Sequence, residues 1–482
     1  MKTVECGIAL GLLSLSGCSL DPNYVRPESG IASTYPRIPR GEAAPREPTS
    51  RARAPDWRNF VKDARLQRLI EIALTNNRDL RVATLNVQAV QAQFSIQSAT
   101  LTPQVSADAS ESRTRLPAQV ARSGAVENDR SYSVGASLGW QIDVFGKLRS
   151  LRSAALQEYL ASEQGRRAAQ VLLVAQVVDQ YLAVLAADEL LGVTDETLEA
   201  AGESYDIVQL QFAVGAGSEL DVRQAQTVVE QAQANRAAQL RARSQAVNGL
   251  VLLLGQAQPV EIPDRGHLSD QLILANLPEG LPSDLLEQRP DILEAEAVLR
   301  AANANIGAAR AAFFPTIELT ASGGTASTAL AGLFAAGSAG WTFAPAVSES
   351  IFAGGAHRAG LRAAHVEKLI AVARYQKVVQ TAFREVADGL AARDTDEQQI
   401  AALARFTQAQ RRRLELAQLL YRDGQSNYLD VLTAQTDLYA ARLTLVSARL
   451  QHLTSLVDLY RAVGGGWREP VAVASLTPDT TR

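Results

Sequence analysis

The chain has 482 residues, 20% of them charged and 5% aromatic, with a formal net charge of −4. That balance excludes a basic nucleic-acid surface and a polyanionic tail, and the length alone allows two or three domains. The cysteines are Cys6 and Cys18, which excludes a disulfide framework downstream, and His267, His357, His365 and His452 lack ligand spacing, so no metal or other cofactor is expected.

Residues 7–15 form an apolar run behind Lys2, too short to span a bilayer but suited to the core of a signal peptide. Leu15-Ser16-Gly17-Cys18 resembles the bacterial lipobox. It predicts a signal peptide over 1–17 and a covalent lipid on Cys18, the first mature residue. Acyl chains on that residue would anchor it, at roughly 0.8 kcal/mol per buried CH₂. Residues 18–62 then form a Pro-rich strap, with Pro22, Pro27, Pro36, Pro39, Pro45, Pro48 and Pro55. Prolines at that density exclude helix and favour an extended spacer.

Prolines also divide the body. They leave gaps in the order short, interruption, long, and the order repeats. Pro103 lies 212 positions before Pro315, and Asn77-Arg78-Asp79-Leu80 lies 212 before Arg289-Pro290-Asp291-Ile292. Leu220-Asp221-Val222 lies 209 before Leu429-Asp430-Val431. One large module used twice is expected. Repeat 1 covers 63–258, an equatorial connector 259–288, repeat 2 289–469 and a C-terminal tail 470–482.

The proline-free blocks from Lys147 to about Val214 and from Gly355 to Asp423 are each long enough for a helix of roughly 100 Å. Apolar residues recur every seven at Val177, Val184, Leu191, Leu198, Tyr205 and Phe212, and again at Leu432, Tyr439, Val446, Leu453 and Tyr460. This is a coiled-coil seam. It fits a dry bundle as well as a barrel of helices.

The interruptions, near 103–145 and 315–352, read as strands. Tyr132, Val134, Ala136, Leu138, Trp140, Ile142 and Val144 alternate with small or polar residues between Ser131 and Phe145. Val105, Ala107 and Ala109 do the same, as do Ile317, Leu319 and Ala321, and Ala339, Trp341 and Phe343. Each strand can cross a bilayer when tilted, with an apolar outer and a wet inner face. Four strands cannot close around a channel and open edges do not survive in lipid, so several copies are expected to share one barrel.

Leu15-Ser-Gly-Cys18, Gln141-Ile-Asp-Val-Phe-Gly146, Arg289-Pro-Asp291, Thr381-Ala-Phe-Arg-Glu-Val-Ala-Asp-Gly-Leu390, Asn427-Tyr-Leu-Asp-Val431 and Leu459-Tyr-Arg-Ala-Val-Gly-Gly-Gly-Trp467 together resemble the TolC-like outer-membrane factor family, in its lipoprotein NodT/OprM branch. The resemblance implies a mainly α fold with membrane β: a homotrimer with a 12-stranded β-barrel in the outer membrane of a Gram-negative bacterium, continued by a 12-helix periplasmic α-barrel. The function implied is a passive exit duct for small molecules in a tripartite efflux pump. A periplasmic adaptor, the membrane fusion protein, and an inner-membrane RND transporter would be its partners. The competing readings are a duct for type I polypeptide secretion and a non-channel periplasmic coiled-coil lipoprotein.

No P-loop, GxSxG or HExxH occurs, so no enzyme is expected. The family gate implies roles for Leu429 and Asp430, and for Leu220 and Asp221 in the first repeat. Carboxylate rings there would repel one another and attract cations. Where the family often has a second Asp, this chain has Thr433 and Arg223. Asp221 and Asp430 also fit as helix N-terminal carboxylates. Gly215 and Gly424 would permit the turns between helices, and Arg422, Gln425 and Ser426 would meet the adaptor.

Overall fold

The computed structural model describes residues 20–28, 30–32, 35, 56–122, 124–256, 267–268, 272–273 and 288–465. The signal peptide, Cys18, much of the strap, most of the 259–288 connector and the 470–482 tail lie outside the described residues.

In chain order the elements are α1 (Trp57–Phe60), α2 (Ala64–Asn76), α3 (Arg78–Ala99), β1 (Gln104–Leu116), β2 (Glu127–Ile142), α4 (Lys147–Ala213), α5 (Glu219–Leu254), α6 (Pro290–Ala311), β3 (Thr316–Ser327), β4 (Ala339–Ser348), α7 (Ala356–Arg422) and α8 (Tyr428–Ala462). A 3-10 turn, Leu330–Gly332, lies between β3 and β4. Both α4 and α7 have 67 residues, uninterrupted by proline as the gaps predict.

The duplication is visible in the element bounds. α3 and β1 begin at Arg78 and Gln104, α6 and β3 at Pro290 and Thr316, 212 positions later. α4 and α5 begin at Lys147 and Glu219, α7 and α8 at Ala356 and Tyr428, 209 positions later. The ladder places Gly139 opposite Gln104 and Ser348 opposite Thr316, so the three-residue difference arises at the hairpin tips.

The chain forms two compact units, each drawing on both repeats: Met1–Glu28, Asn86–Glu163 and Glu294–Gln376 in one, Ser29–Leu85, Gln164–Leu293 and Lys377–Arg482 in the other. The first contains the sheet. Sequence patterning implies two strand pairs, but the structure joins them into one antiparallel sheet of order β1-β2-β3-β4. β2 ends at Ile142, before Val144 and Phe145, because Asp143 leaves the ladder. Its carboxylate accepts from the backbone N–H groups of Leu148 (3.1 Å) and Arg149 (2.9 Å) and starts α4. Such a bond satisfies donors that the first helical turn leaves open.

Residues 20–28 of the strap run as an extended segment along α6, whereas its end departs from the expected helix-free spacer: beyond Pro55, the last of its prolines, Trp57–Phe60 form α1. Arg310 donates to the carbonyl of Leu20 (3.1 Å) and Asn303 to that of Pro22 (2.7 Å). Ser150 donates to Asp21 (2.5 Å), and Arg26 pairs with the buried Glu296 at 2.6 Å. The missing side chain of Gly307 makes room: a Cβ there would lie 1.7 Å from the Asp21 carboxylate.

The second unit is helical. Val177, Val178, Leu182 and Val184 of α4 are fully buried, as are Leu250 and Leu254 of α5. Phe60 stacks on Tyr460 at 4.1 Å. The Arg289-Pro-Asp291 motif is a clamp. The buried Arg289 guanidinium holds Asp291 (3.0 and 2.7 Å), Glu385 (3.0 Å) and the carbonyl of Ala462 at the end of α8 (2.6 Å). The predicted heptad seam holds at Val177 and Val184 and at Val446, Leu453 and Tyr460, but drifts toward the far end of α4. There the buried positions are Thr194, Ala201 and Val208, while Phe212 is exposed. Small residues enter the seam there, while Tyr205 packs at the rim of the buried cluster.

Candidate functional site

Two regions gather the residues that the sequence singles out. The first is the sheet. In an antiparallel ladder directly opposed residues share a face. One face carries Val105, Ala107 and Ala109 of β1, Tyr132 to Ile142 by alternate residues in β2, Ile317, Leu319 and Ala321 of β3, and Trp341, Phe343 and Val347 of β4. The other carries a row Ser106, Ser137, Ser322, Thr342, in which the hydroxyls of Ser106 and Ser137 meet at 2.8 Å. A hollow of about 400 Å³ lies along this row. Trp140 donates its indole N–H to the carbonyl of Leu101 (3.0 Å), at the foot of the sheet. Among the described residues the edges β1 and β4 have no second partner strand, and Trp341 is 81% exposed.

The second region is the pair of helix turns between α4 and α5 and between α7 and α8. Gly215 and Gly424 sit at φ +76° and +70°, the left-handed conformation that favours glycine. In each turn the glycine N–H and the next one return to the preceding helix: Gly215 to Phe212 (3.0 Å) and Ala216 to Gln211 (2.8 Å), Gly424 to Tyr421 (3.0 Å) and Gln425 to Leu420 (2.9 Å). These are Schellman closures.

The next helices begin with matched caps. The Ser218 hydroxyl accepts from the N–H of Asp221 (3.1 Å), and the Asp221 carboxylate accepts from the Ser218 N–H (3.2 Å) and hydroxyl (2.7 Å), a capping box. Asn427 accepts from the N–H of Asp430 (3.1 Å), and Ser426 donates to the Asp430 carboxylate. Asp221 and Asp430 are thus first-turn carboxylates that hold their own turns. Leu220 and Leu429 beside them are 65% and 51% exposed.

Thr433 is exposed and spends its hydroxyl on the carbonyl of Leu429 (2.8 Å). Arg223 pairs with Glu219 at 3.3 Å and donates to Gln226 at 3.0 Å. Arg422 and Gln425 are exposed, whereas the Ser426 side chain is engaged by Asp430.

Behind the turns the ends of four helices share one cluster: Val208 of α4, Val222 and Ala225 of α5, Ala417 of α7, and Tyr428, Val431 and Ala434 of α8. Tyr421 packs against it, tilted on Tyr428 at 5.3 Å. Burial, then the charge of Asp221, pushes the Tyr421 hydroxyl up from its ordinary value. Burial pushes Tyr428 up to about 12, aided by Tyr421 and Asp221 and opposed by a bond to Ser204. Both tyrosines therefore stay neutral donors at physiological pH. Ser218 is absent from the residues the sequence singles out, and Asn427 and Tyr428 enter there only as part of the Asn427–Val431 motif, with no capping or packing role. The caps had a readable signal, a Ser or Asn three positions before an Asp at the start of each helix. Among the described residues, no group of three or more His, Cys, Asp or Glu is placed to hold a metal ion.

Comparison with known proteins agrees with this geometry. The family model described as outer membrane efflux protein matches residues 69–256 and 281–465. The chain is 45% identical over 472 residues to the toluene efflux pump outer membrane protein TtgC of Pseudomonas putida, covering 97% of this chain and 96% of that one. A membrane protein from Pseudomonas aeruginosa superposes with a TM-score of 0.86 at 41% identity, over 95% of this chain and all of the other. The open-state MtrE outer membrane channel of Neisseria gonorrhoeae gives 0.82 at 36% identity, over 93% and 98%.

Proposed function

The chain belongs to the outer membrane efflux protein family, and from that premise we propose that it works as the outer-membrane exit duct of a tripartite efflux pump. The observation that carries this reading is the sheet: one apolar face, one face of hydroxyls and small residues, and two open edges, continuous with 67-residue helices. The apolar face suits lipid and the hydroxyl face suits water. The open edges favour assembly, since unpaired backbone groups are costly in hydrocarbon.

Three copies would give twelve strands and a twelve-helix periplasmic barrel. The duct itself carries out no chemistry. Energy and substrate choice would come from an inner-membrane RND transporter, coupled through a periplasmic adaptor. Arg422 and Gln425, exposed at the turns, are the residues we assign to adaptor contact, with Ser426 supporting the turn. Acyl chains on Cys18 would add a second attachment to the membrane. Small apolar or amphipathic molecules are the expected cargo, in keeping with a relative named for toluene efflux.

Gating would occur at the turns. Exposed Leu220 and Leu429 would close the passage, and Asp221 and Asp430 would fix their position. A ring built from these carboxylates is weakened as a cation trap, because Arg223 and Thr433 stand where further acids would strengthen it.

Planar-bilayer recording tests the assignment. Purified protein should show a small conductance that rises in Asp430→Ala and Leu429→Ala. No conductance in either variant would defeat the duct. Deletion in the host should sensitise it to organic solvents or hydrophobic drugs, and unchanged tolerance to all of them would count against efflux.

A further inference from the structure

The two hairpins of the sheet are repeat counterparts, yet their free ends differ. The helices attach at the Gln104 and Ile142 end, so the turns after Leu116 and Ser327 mark the opposite end. Between Leu319 and Ser348 the second hairpin has no charged residue. The first is rich in them, and they are sorted by face. Arg113, Arg115 and Arg130 fall on the apolar side with Val105 and Val134, whereas Asp108, Glu127 and Asp129 fall on the hydroxyl side with Ser106 and Ser133. Glu111 breaks the rule, and Arg113 neutralises it at 2.5 Å.

The fold gives the arginines too few partners. Arg113 and Arg130 stand directly opposite each other, and like charges so placed repel. Glu111 is the one carboxylate on this side of the hairpin, and Arg113 occupies it. Among the described residues Arg115 and Arg130 have neither an ion pair nor a hydrogen bond, and all three arginines are exposed.

Their height along the strands completes the picture. On the apolar side, Val105 to Ala109 in β1 and Val134 to Ile142 in β2 lead up to the rung of Glu111 and Tyr132. Tyrosine suits the boundary of a membrane barrel, where aromatic rings form a girdle. β3 ends opposite that rung, with Ser327 facing Tyr132, so beyond it the first hairpin projects alone. The Arg113 and Arg130 rung follows about 7 Å further along the strands, and the Arg115 and Asn128 rung about 7 Å beyond that. In a barrel these arginines stand in the headgroup layer, on the lipid side, at the end away from the helices. Resting on the outer-membrane duct proposed above, we propose that Arg113, Arg115 and Arg130 form a binding site for the phosphate groups of lipid A, the glycolipid of the outer leaflet.

A planar guanidinium presents paired donors to phosphate. An anion bound there relieves the repulsion between Arg113 and Arg130, and the small apolar strip of Ala107 and Ala109 next to it gives acyl chains a smooth surface. Phospholipids of the inner leaflet carry their phosphates at the other end of the sheet, near Gln104 and Ile142, which is why the site selects the outer-leaflet lipid.

Native mass spectrometry of the purified protein with added lipid A tests the site, with lipid A stripped of its phosphates and phosphatidylglycerol as the comparison lipids. The unaltered protein should bind lipid A roughly tenfold more tightly than the stripped form. Arg115→Gln with Arg130→Gln should abolish that preference. Arg115→Lys with Arg130→Lys should keep part of it, because lysine retains the charge and loses the paired donors. If the glutamine pair fails to assemble, Arg115→Gln alone carries the same test at an exposed position without a partner in the fold. Equal binding of both lipid A forms by the unaltered protein, or an unchanged preference in the glutamine variants, would overturn the site. Tighter binding of phosphatidylglycerol than of lipid A would overturn its assignment to the outer leaflet. The arginine variants should conduct in planar bilayers as the parent protein does, so that a failed lipid site leaves the duct standing. Absence of conductance in the unaltered protein would instead defeat the duct, and the lipid-facing site with it.

Discussion

The hydroxyl of Tyr421 donates to the side-chain oxygen of Gln211, 2.7 Å away. It ties the last turn of α7 to the last turn of α4, one from each repeat. A phenol is neutral at physiological pH and burial pushes its titration still higher, so the tie should not respond to pH in that range. Tyr421→Phe keeps the ring and removes the bond. It should lower thermal stability by about 1 kcal/mol and raise single-channel conductance. A conductance equal to that of the parent protein would show that the closed turns do not depend on this bond.

Asp179, in α4, has a buried carboxyl oxygen without a hydrogen-bond partner. Burial, then the charge of Asp458, pushes it up to about 7 from 3.8, against the pull of Arg461. A carboxyl raised in the folded state binds protons that the unfolded chain releases. The contribution of Asp179 to stability is therefore most favourable near pH 4, falls as pH rises toward about 7, and is level above that. Asp179→Asn should flatten this dependence and gain on the order of 2 kcal/mol at about pH 8. Thermal melts at about pH 5 and pH 8 check it. An equal effect of the substitution at both would refute the assignment.

Arg289 joins Asp291, Glu385 and the end of α8. A lysine is a single point charge and cannot hold a carboxylate by two parallel bonds while also reaching a third partner. Arg289→Lys should lose about 2 kcal/mol, a loss seen in melting of the purified protein. Retention of full stability would mean that charge alone suffices there.

Gly307 leaves room for Asp21. Gly307→Leu should push the strap off α6 without unfolding the helix. Hydrogen–deuterium exchange should then speed up across residues 20–28 and stay slow across α6. Unchanged exchange in the strap would mean that it is held elsewhere.

The helices were legible because proline and its absence act locally. α4 and α7 fill their proline-free gaps to within two residues, and the large apolar heptads mark the core at Val177 and Val184 of α4 and at Val446, Leu453 and Tyr460 of α8. The strands were legible because alternation is also local, although the bounds moved: β2 begins at Glu127, where the residues are charged and the alternation is hidden. What sequence could not supply was the union of β2 with β3, which depends on residues far apart in the chain. The seam near the turns was misread for a related reason. There, close packing selects Ala201 and Ala434 while Phe212 stays exposed, and alanine carries no periodic signal on a chain rich in it.

At the turns the sequence marks the two aspartates, but not the capping roles of Ser218 and of Asn427, the latter present only as a motif residue. Ser218 and Asn427 are ordinary polar residues until the helix start is known. The Arg289 clamp was visible as a motif and silent as a mechanism, since its partners Glu385 and Ala462 lie in other helices.

The pairing of β2 with β3 also sets a timetable. No sheet of four strands can form until Thr316 and the residues beyond it have been made and exported, because β2 waits for a partner that follows α4, α5 and α6. Helices rely on near neighbours and close quickly, whereas long-range strand pairs are slow. The nascent chain would then spend its early life as a helical body with one lone hairpin, β1–β2, whose apolar side is uncovered. That interval is when a periplasmic chaperone has most to protect, and shortening it by circular permutation should raise the yield of assembled protein.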